Sequence, residues 1–287
     1  MGQSGANNIT ELLDRHGFRF SKTLGQNFLV DANIPEKIVR LAGIDSSGGV
    51  LEVGPGVGAL TVALCGVAGH VLAVELDKKL LPVLDVTLAG FSNVEVIQGD
   101  VLKLDLAELT RQRMPGFKYH ACSNIPYSIT TPILTALIES GVFETITVMI
   151  QKEVARRICA TPGSPEYSAF TVFVNYHNIE QRILFDVPPE CFIPRPKVYS
   201  SVLFMRKRQT ALLTPAEETM FFRVVRASFR QRRKTLLNAL HAEFGSILSK
   251  DEIAEIIGTS GFDKNIRGER LGADEFIRLS GNLAAKV

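Results

Sequence analysis

The chain has 287 residues, 46% hydrophobic and 22% charged, with a net charge of +2, four cysteines and five histidines. Its length suits one large domain and one small one. No apolar run reaches the roughly eighteen residues of a membrane span, and Cys65, Cys122, Cys159 and Cys191 form no Cys-x-x-Cys pair among scattered histidines; a membrane-spanning helix, a disulfide framework and a structural zinc site are excluded on these grounds, and no metal is expected.

The start, Met1 to Asn8, is polar and lacks the basic and apolar regions of a signal peptide. Ala6 also stands where a myristoylation signal requires Ser or Thr. A soluble, unexported, cytoplasmic protein is expected. Gln26-Asn27-Phe28-Leu29 follows, placed to close over whatever the next segment binds.

Short runs rich in Val, Ile and Leu at 49–53, 70–75, 93–97, 118–122 and 145–150 leave room for a helix between neighbours, which is the rhythm of βαβ units. Val50 to Val53 and Val71 to Val74 are nearly continuous apolar runs, as expected of parallel strands covered on both faces. The fold class is therefore α/β, with a mostly parallel sheet. Phe170 to Val174 could be strand or helix by period and is read as helix. Arg182 to Phe185 and Ser201 to Phe204 flank the proline-rich stretch Val187 to Pro196, which predicts an antiparallel pair at the sheet edge joined by a stiff loop.

After Arg206-Lys207-Arg208 the pattern becomes helical, with helices predicted from 215 to 229 or beyond, 251 to 257 and 274 to 283. Thr214 is placed to cap the first, with Pro215 in its opening turn. Two domains follow, 1–209 and 210–287. Residues 206–287 carry 15 basic and 10 acidic groups, so the tail end of the chain is basic.

Glu52-Val53-Gly54-Pro55-Gly56-Val57-Gly58 closes one predicted strand and opens a helix, and Glu75 ends the next strand. Glycines there let backbone approach a ligand, and a carboxylate at that offset accepts from ribose hydroxyls. Gly54-x-Gly56-x-x-Ala59 with Glu75 also satisfies a dinucleotide fingerprint, so NAD stays open on this turn alone. Three features favour S-adenosylmethionine: Glu52 with the added Gly58, which resembles the first motif of class I methyltransferases; Gly99-Asp100, where a carboxylate can accept from an adenine amino group; and the closing segment at Gln26 to Leu29. Asp100 also suits a plain helix cap.

Asn124-Ile125-Pro126-Tyr127 follows the fourth strand. It offers a side-chain amide oxygen, a backbone carbonyl at Pro126 and an aromatic face at one point, the groups that hold a planar exocyclic amine. Both turns fall at the carboxyl edge of a parallel sheet, where such folds bind ligands. Phe192 is expected to sandwich a flipped base against Tyr127, unless it is an ordinary core phenylalanine. Methyl transfer to an amino nitrogen is the chemistry implied.

On these motifs, with Phe192-Ile193-Pro194-Arg195-Pro196-Lys197-Val198-x-Ser200 and Phe229-Arg230-Gln231-Arg232-Arg233-Lys234-Thr235-Leu236, the chain resembles the small-subunit ribosomal RNA adenine N6,N6-dimethyltransferases over nearly its whole length. The resemblance implies a class I methyltransferase domain with a small helical RNA-binding domain. It implies that Asn27, Leu29, Gly54, Gly56, Gly58, Glu75, Leu76, Asp100, Val101 and Asn124 bind S-adenosylmethionine. Asn124, Pro126, Tyr127 and Phe192 would hold the target adenine, one of two adjacent adenosines near the 3′ end of the small-subunit rRNA. Ser128 and Gly272 depart from residues usual in the family, the second at a helix cap.

Arg223, Arg226, Arg230, Arg233 and Lys234 belong to a stretch, 223–234, with six basic residues and no acid. With Phe222, Val225, Phe229 and Leu236 read as an apolar stripe on the same helix, this predicts an rRNA phosphate-binding face. The expected partner is the small ribosomal subunit and the expected state a monomer. A large-subunit resistance methyltransferase, a NAD-dependent oxidoreductase and a non-catalytic assembly factor are the alternatives.

Overall fold

A computed structural model describes residues 10–20, 25–231 and 233–287. The polar start and Arg232 lie outside the described residues. The chain divides into two compact units, the first made of residues up to Ala155 with Glu180–Lys207, the second of Arg156–Ile179 with Arg208–Val287.

In chain order the elements of the first unit begin with β1 (Phe28–Leu29), α1 (Asn33–Ala42), β2 (Gly48–Val53), α2 (Ala59–Cys65), β3 (His70–Glu75), α3 (Leu81–Thr87) and β4 (Val94–Gln98). They continue with α4 (Leu106–Arg113), β5 (Lys118–Asn124), α5 (Thr130–Glu139), β6 (Thr145–Gln151) and α6 (Lys152–Ile158). After α7 (Ala169–His177) come β7 (Asn178–Val187), β8 (Phe192–Ile193) and β9 (Ser200–Lys207). The seven-stranded sheet has the order β4-β3-β2-β5-β6-β9-β7. Pairs among β2 to β6 are parallel, and β9 runs antiparallel to β6, from Thr145↔Arg206 to Gln151↔Ser200. The strands at 49–53, 70–75, 93–97, 118–122 and 145–150 are all present, as is the edge pair, and 170–174 is helical.

β2 and β6 are buried almost along their length because helices cover both faces, which is why they read as unbroken apolar runs. From β2 the chain winds outward through β3 to β4, then returns to place β5 on β2's other side. This reversal opens a crevice between the carboxyl ends of β2 and β5.

The second unit contains α7 together with α8 (Pro215–Arg230), α9 (Leu236–Phe244), α10 (Lys250–Thr259) and α11 (Ala273–Ala284). Its core joins Tyr167, Val172 and Tyr176 to Phe221, Leu240, Phe244, Ile257, Phe276 and Leu279. The division expected at 209/210 is corrected here: Arg156–Ile179 belongs with the helices because α7 supplies its apolar face to their core. Thr214 caps α8 as expected, accepting from the Glu217 amide while Glu217 accepts from the Thr214 amide. Gly272 caps α11 through its own amide, which donates to Glu275 Oε2 at 2.7 Å.

The reading of one helix through Leu236 is also corrected. α8 ends at Arg230, and Thr235 begins α9 by accepting from the Asn238 amide at 3.4 Å. Thr235→Ala should lower the unfolding free energy by about 1 kcal/mol, the usual worth of such a cap, read as a lower urea midpoint.

Candidate functional site

A cavity of about 210 Å³ sits at the β2/β5 crevice. Its lining includes Asn27, Leu29, Gly54, Gly56, Glu75, Leu76, Asp100, Val101, Asn124, Pro126 and Tyr127, so most of the sequence-derived set is brought together.

The glycines have three distinct jobs. Gly54, at φ 67°, has no atom within 4 Å of where a Cβ would stand; its backbone conformation, not crowding, demands glycine. A Cβ on Gly56, at φ 60°, would lie 2.9 Å from the Phe28 ring, so its bareness lets the start of β1 lie on the turn. Gly58, at φ 87°, is absent from the cavity wall and faces Thr87 and Leu84 of α3. Its assignment to ligand contact is corrected: Gly58 opens α2 and permits helix packing. Gly58→Ala should therefore lower the melting temperature yet leave the S-adenosylmethionine Kd of the folded protein unchanged, measured by calorimetry.

Phe28 is further gripped by Phe18 and Phe20, at ring separations of 5.8 and 5.4 Å. Gln26 Nε2 donates to Asp77 Oδ2 at 3.1 Å, tying the same segment to the end of β3. Asn124 Nδ2 donates to the Asn27 carbonyl at 3.0 Å. This last bond orients the amide, leaving Oδ1 as its acceptor end.

Glu75 is 5% exposed. The Gly56 amide donates to its Oε2 at 3.2 Å and the Asp77 amide to its Oε1 at 2.8 Å. Burial pushes its carboxyl above the usual range, while these donors pull it back. Asp100 is a cap, Oδ1 accepting from the Leu102 amide at 3.1 Å, and it also lines the cavity.

Glu52 lines the same wall, with Oε2 buried and unpartnered. Burial pushes its carboxyl to about 8, the Thr61 hydroxyl pulls it down and the Glu75 charge pushes it up. The folded protein thus keeps a proton that the unfolded chain releases near its ordinary value of 4.5. Folding stability from this group is greatest below pH 4.5, declines as pH rises toward 8 and is level above. Glu52→Gln, neutral at every pH, should remove that decline, so that its melting temperature gains on the parent's between pH 5 and 8 when both are scanned without ligand.

Two of the four amine-site expectations change. The Pro126 carbonyl is already engaged, accepting from the Ile129 amide and the Thr130 hydroxyl, each at 3.3 Å. Pro126 begins the 3-10 turn Tyr127–Ile129, and its carbonyl serves that turn. The carbonyl of Ile125, which no side-chain chemistry singles out, accepts no hydrogen bond among the described residues, and Ile125 lines the cavity. Phe192 is 2% exposed and absent from the cavity wall. Pairing of β1 with β8, Leu29 opposite Phe192, turns that ring into the core beside Val187 and Val202. The ordinary-core reading holds for Phe192. Tyr127 remains at the cavity, its hydroxyl bonded to Ser200 Oγ at 2.6 Å and held neutral by burial.

On α8, Arg223 and Arg230 pair with Glu243 of α9 at 2.9 and 3.3 Å, and Arg223 also lies over the Phe244 ring. The absence of an acid within 223–234 is thus offset by one further along the chain. Arg226, Arg233 and Lys234 are exposed and make no ion pair among the described residues; Arg233 and Lys234 lie in the α8–α9 connection, not on the helix. Among the described residues no three His, Cys, Asp or Glu side chains gather as a metal site, and no helix is long and apolar enough to cross a membrane.

The model of the family described as ribosomal RNA adenine dimethylase matches residues 17–270. The chain belongs to that family. Ribosomal RNA small subunit methyltransferase A of Alkaliphilus oremlandii is 44% identical over 279 residues, 96% of each chain. A dimethyladenosine transferase from Plasmodium falciparum superposes with a TM-score of 0.78 at 26% identity, covering 90% of this chain and 98% of that one. The 23S rRNA methyltransferase ErmE shares the fold at a TM-score of 0.69 and 26% identity, over 90% and 99%. As a ribosomal RNA adenine dimethylase, the protein is an S-adenosylmethionine-dependent methyltransferase with a class I fold. Its cavity suits that cofactor: the open side of Gly54, the nearly buried Glu75 carboxylate and the unpartnered Glu52 oxygen are what a ribose- and amine-bearing molecule requires.

Proposed function

We propose that the protein dimethylates the N6 amines of two adjacent adenosines in a hairpin near the 3′ end of small-subunit rRNA, during ribosome assembly in the cytoplasm. The observation that carries this reading is the Asn124 amide, fixed by the Asn27 carbonyl with Oδ1 unspent at the cavity. Near-full-length identity of 44% to a relative named for the small subunit supports the choice of RNA.

Glu75 would accept from ribose hydroxyls and Asp100 from an adenine amino group of the cofactor, with Leu76 and Val101 against its base and Glu52, Gly54 and Gly56 near its methionine part. When bound, S-adenosylmethionine supplies a methyl group activated by its sulfonium. Asn124 Oδ1 and the Ile125 carbonyl would accept the two N–H groups of the target amine. That pair of acceptors draws the nitrogen lone pair out of ring conjugation toward a pyramidal, nucleophilic form. Tyr127 would stack on the target base, a contact worth about 1–3 kcal/mol. The proton lost from nitrogen passes to water, and no side chain need act as a base.

Arg226, Arg233 and Lys234, with the partly paired Arg223 and Arg230, would bind rRNA phosphates. The protein is proposed to act as a monomer without a metal.

Asn124→Ala should reduce kcat by about 10²–10³-fold, the range for losing one oriented polar group at a reacting centre, while retaining binding to small subunits in sedimentation assays. Retained methylation would contradict the amine-site assignment, and lost binding would make Asn124 a docking residue. Charge reversal at Arg226 and Arg233 should flatten the salt dependence of subunit binding by about one unit of slope for each phosphate no longer neutralised; an unchanged slope would remove these cations from the RNA surface.

A further inference from the structure

Alternation along parallel strands fixes which side chains share a face of the sheet. Glu52 stands opposite Ala73 of β3, and Leu51 opposite Ala121 of β5, so Glu52 falls beside Cys122. Two residues further along those neighbours come Glu75 and Asn124, which therefore lie on the face of Glu52. Leu29 and Leu60 pack on this face with Val50 and Cys122, and both also line the cavity. Glu52 thus stands at the cavity wall one step deeper along the strands than Asn124, and is 1% exposed.

The groups that face it bring no positive charge. α2 presents the Thr61 hydroxyl and the Cys65 thiol, β5 the Cys122 thiol and β3 the Glu75 carboxyl. Burial and the Glu52 charge push both thiols up, and α1 covers the face with Ile38, Val39 and Ala42. Among the described residues Glu52 has no cationic partner, and its Oε2 accepts no hydrogen bond. A buried carboxyl without a cation keeps its proton, which is the sense of its shift to about 8. S-adenosylmethionine carries two cationic groups: the sulfonium has no N–H to donate, whereas the α-ammonium has three, so only the ammonium satisfies an orphaned acceptor.

We propose that Glu52 recognises the α-ammonium of S-adenosylmethionine and gives up its own proton to do so, so that cofactor binding is coupled to the release of one proton. The inference rests on the proposed placing of Glu52 near the cofactor's methionine part and deepens it. The proton passes from the Glu52 carboxyl to the buffer, and the carboxylate left behind is balanced by the ammonium. Below about 8 the empty protein is protonated at this point and the occupied one is not, so affinity climbs as pH rises toward that value. An α-amino group itself titrates at about 7.7–8.0, so from about pH 6 to 7 the ligand stays charged and the protein alone changes.

Calorimetry in two buffers of different ionisation enthalpy counts the protons exchanged on binding. The ligands are S-adenosylmethionine, S-adenosylhomocysteine, which keeps the ammonium without the sulfonium, and methylthioadenosine, which has neither. The first two should release close to one proton more than the third, and their Kd should fall relative to its Kd by about tenfold per pH unit from about pH 6 to 7. Glu52→Gln, checked for folding by its melting temperature, should abolish both differences. Equal proton release by S-adenosylhomocysteine and methylthioadenosine in the parent would overturn the inference, whether or not the variant folds. A difference that persists in folded Glu52→Gln would also overturn it, by assigning the proton to another group. Methylthioadenosine bound as tightly as S-adenosylhomocysteine throughout that pH range would instead overturn the placing of the methionine part on which the inference rests.

Discussion

The parallel pairing of β2 with β5 is the constraint from which the rest of the site follows. Once the chain has wound outward from β2 through β3 and β4, the return to β5 leaves two strand ends side by side with their connections leaving in opposite directions. The glycine turn lies at one end and Asn124 at the other. Ser123 reinforces the join, its hydroxyl accepting from the Val53 amide at 2.8 Å. The proposed places of the cofactor, over the first turn, and of the amine, at the second, thereby share one crevice without any loop having to reach far.

That crevice is closed by a segment distant in sequence. Phe28 rests on the bare backbone of Gly56, Gln26 binds Asp77 and the Asn27 carbonyl takes the Asn124 amide. β1 also pairs with β8, which brings the Phe192-to-Ser200 motif alongside. A single short strand thus borders both the glycine turn and the turn at Asn124. Phe192 contributes to this from the core, by anchoring β8, and Tyr127 is left as the aromatic residue at the proposed amine site, steadied by Ser200.

The sheet was legible in the sequence because strands buried on both faces leave continuous apolar runs, as in Val50 to Val53. The glycine turn, Glu75, Asp100 and Asn124 were legible because their chemistry depends on residue type at a fixed place along a strand. What could not be read depends on direction or on distant partners. Nothing local reveals that the Pro126 carbonyl is taken up by Ile129 and Thr130, or that pairing with Leu29 buries Phe192. Gly58 fits the motif yet serves α3, since a motif does not say which side a glycine faces. Leu236 continues the helical spacing of Phe222, Val225 and Phe229, and only the Thr235 cap breaks it. Glu243, which pairs with Arg223 and Arg230, lies on another helix, so their charge looked unopposed. α7 joins the helical core for the same reason: its partners lie on helices far along the chain.

Methylation of adjacent small-subunit adenosines at this cavity is tested most directly by incubating the protein and isotopically labelled S-adenosylmethionine with small subunits lacking these methyl groups. The rRNA is then digested and N6,N6-dimethyladenosine mapped by mass spectrometry. Label on two neighbouring adenosines near the 3′ end is the predicted result. Label confined to large-subunit rRNA, or tight subunit binding with no transfer at all, would contradict it.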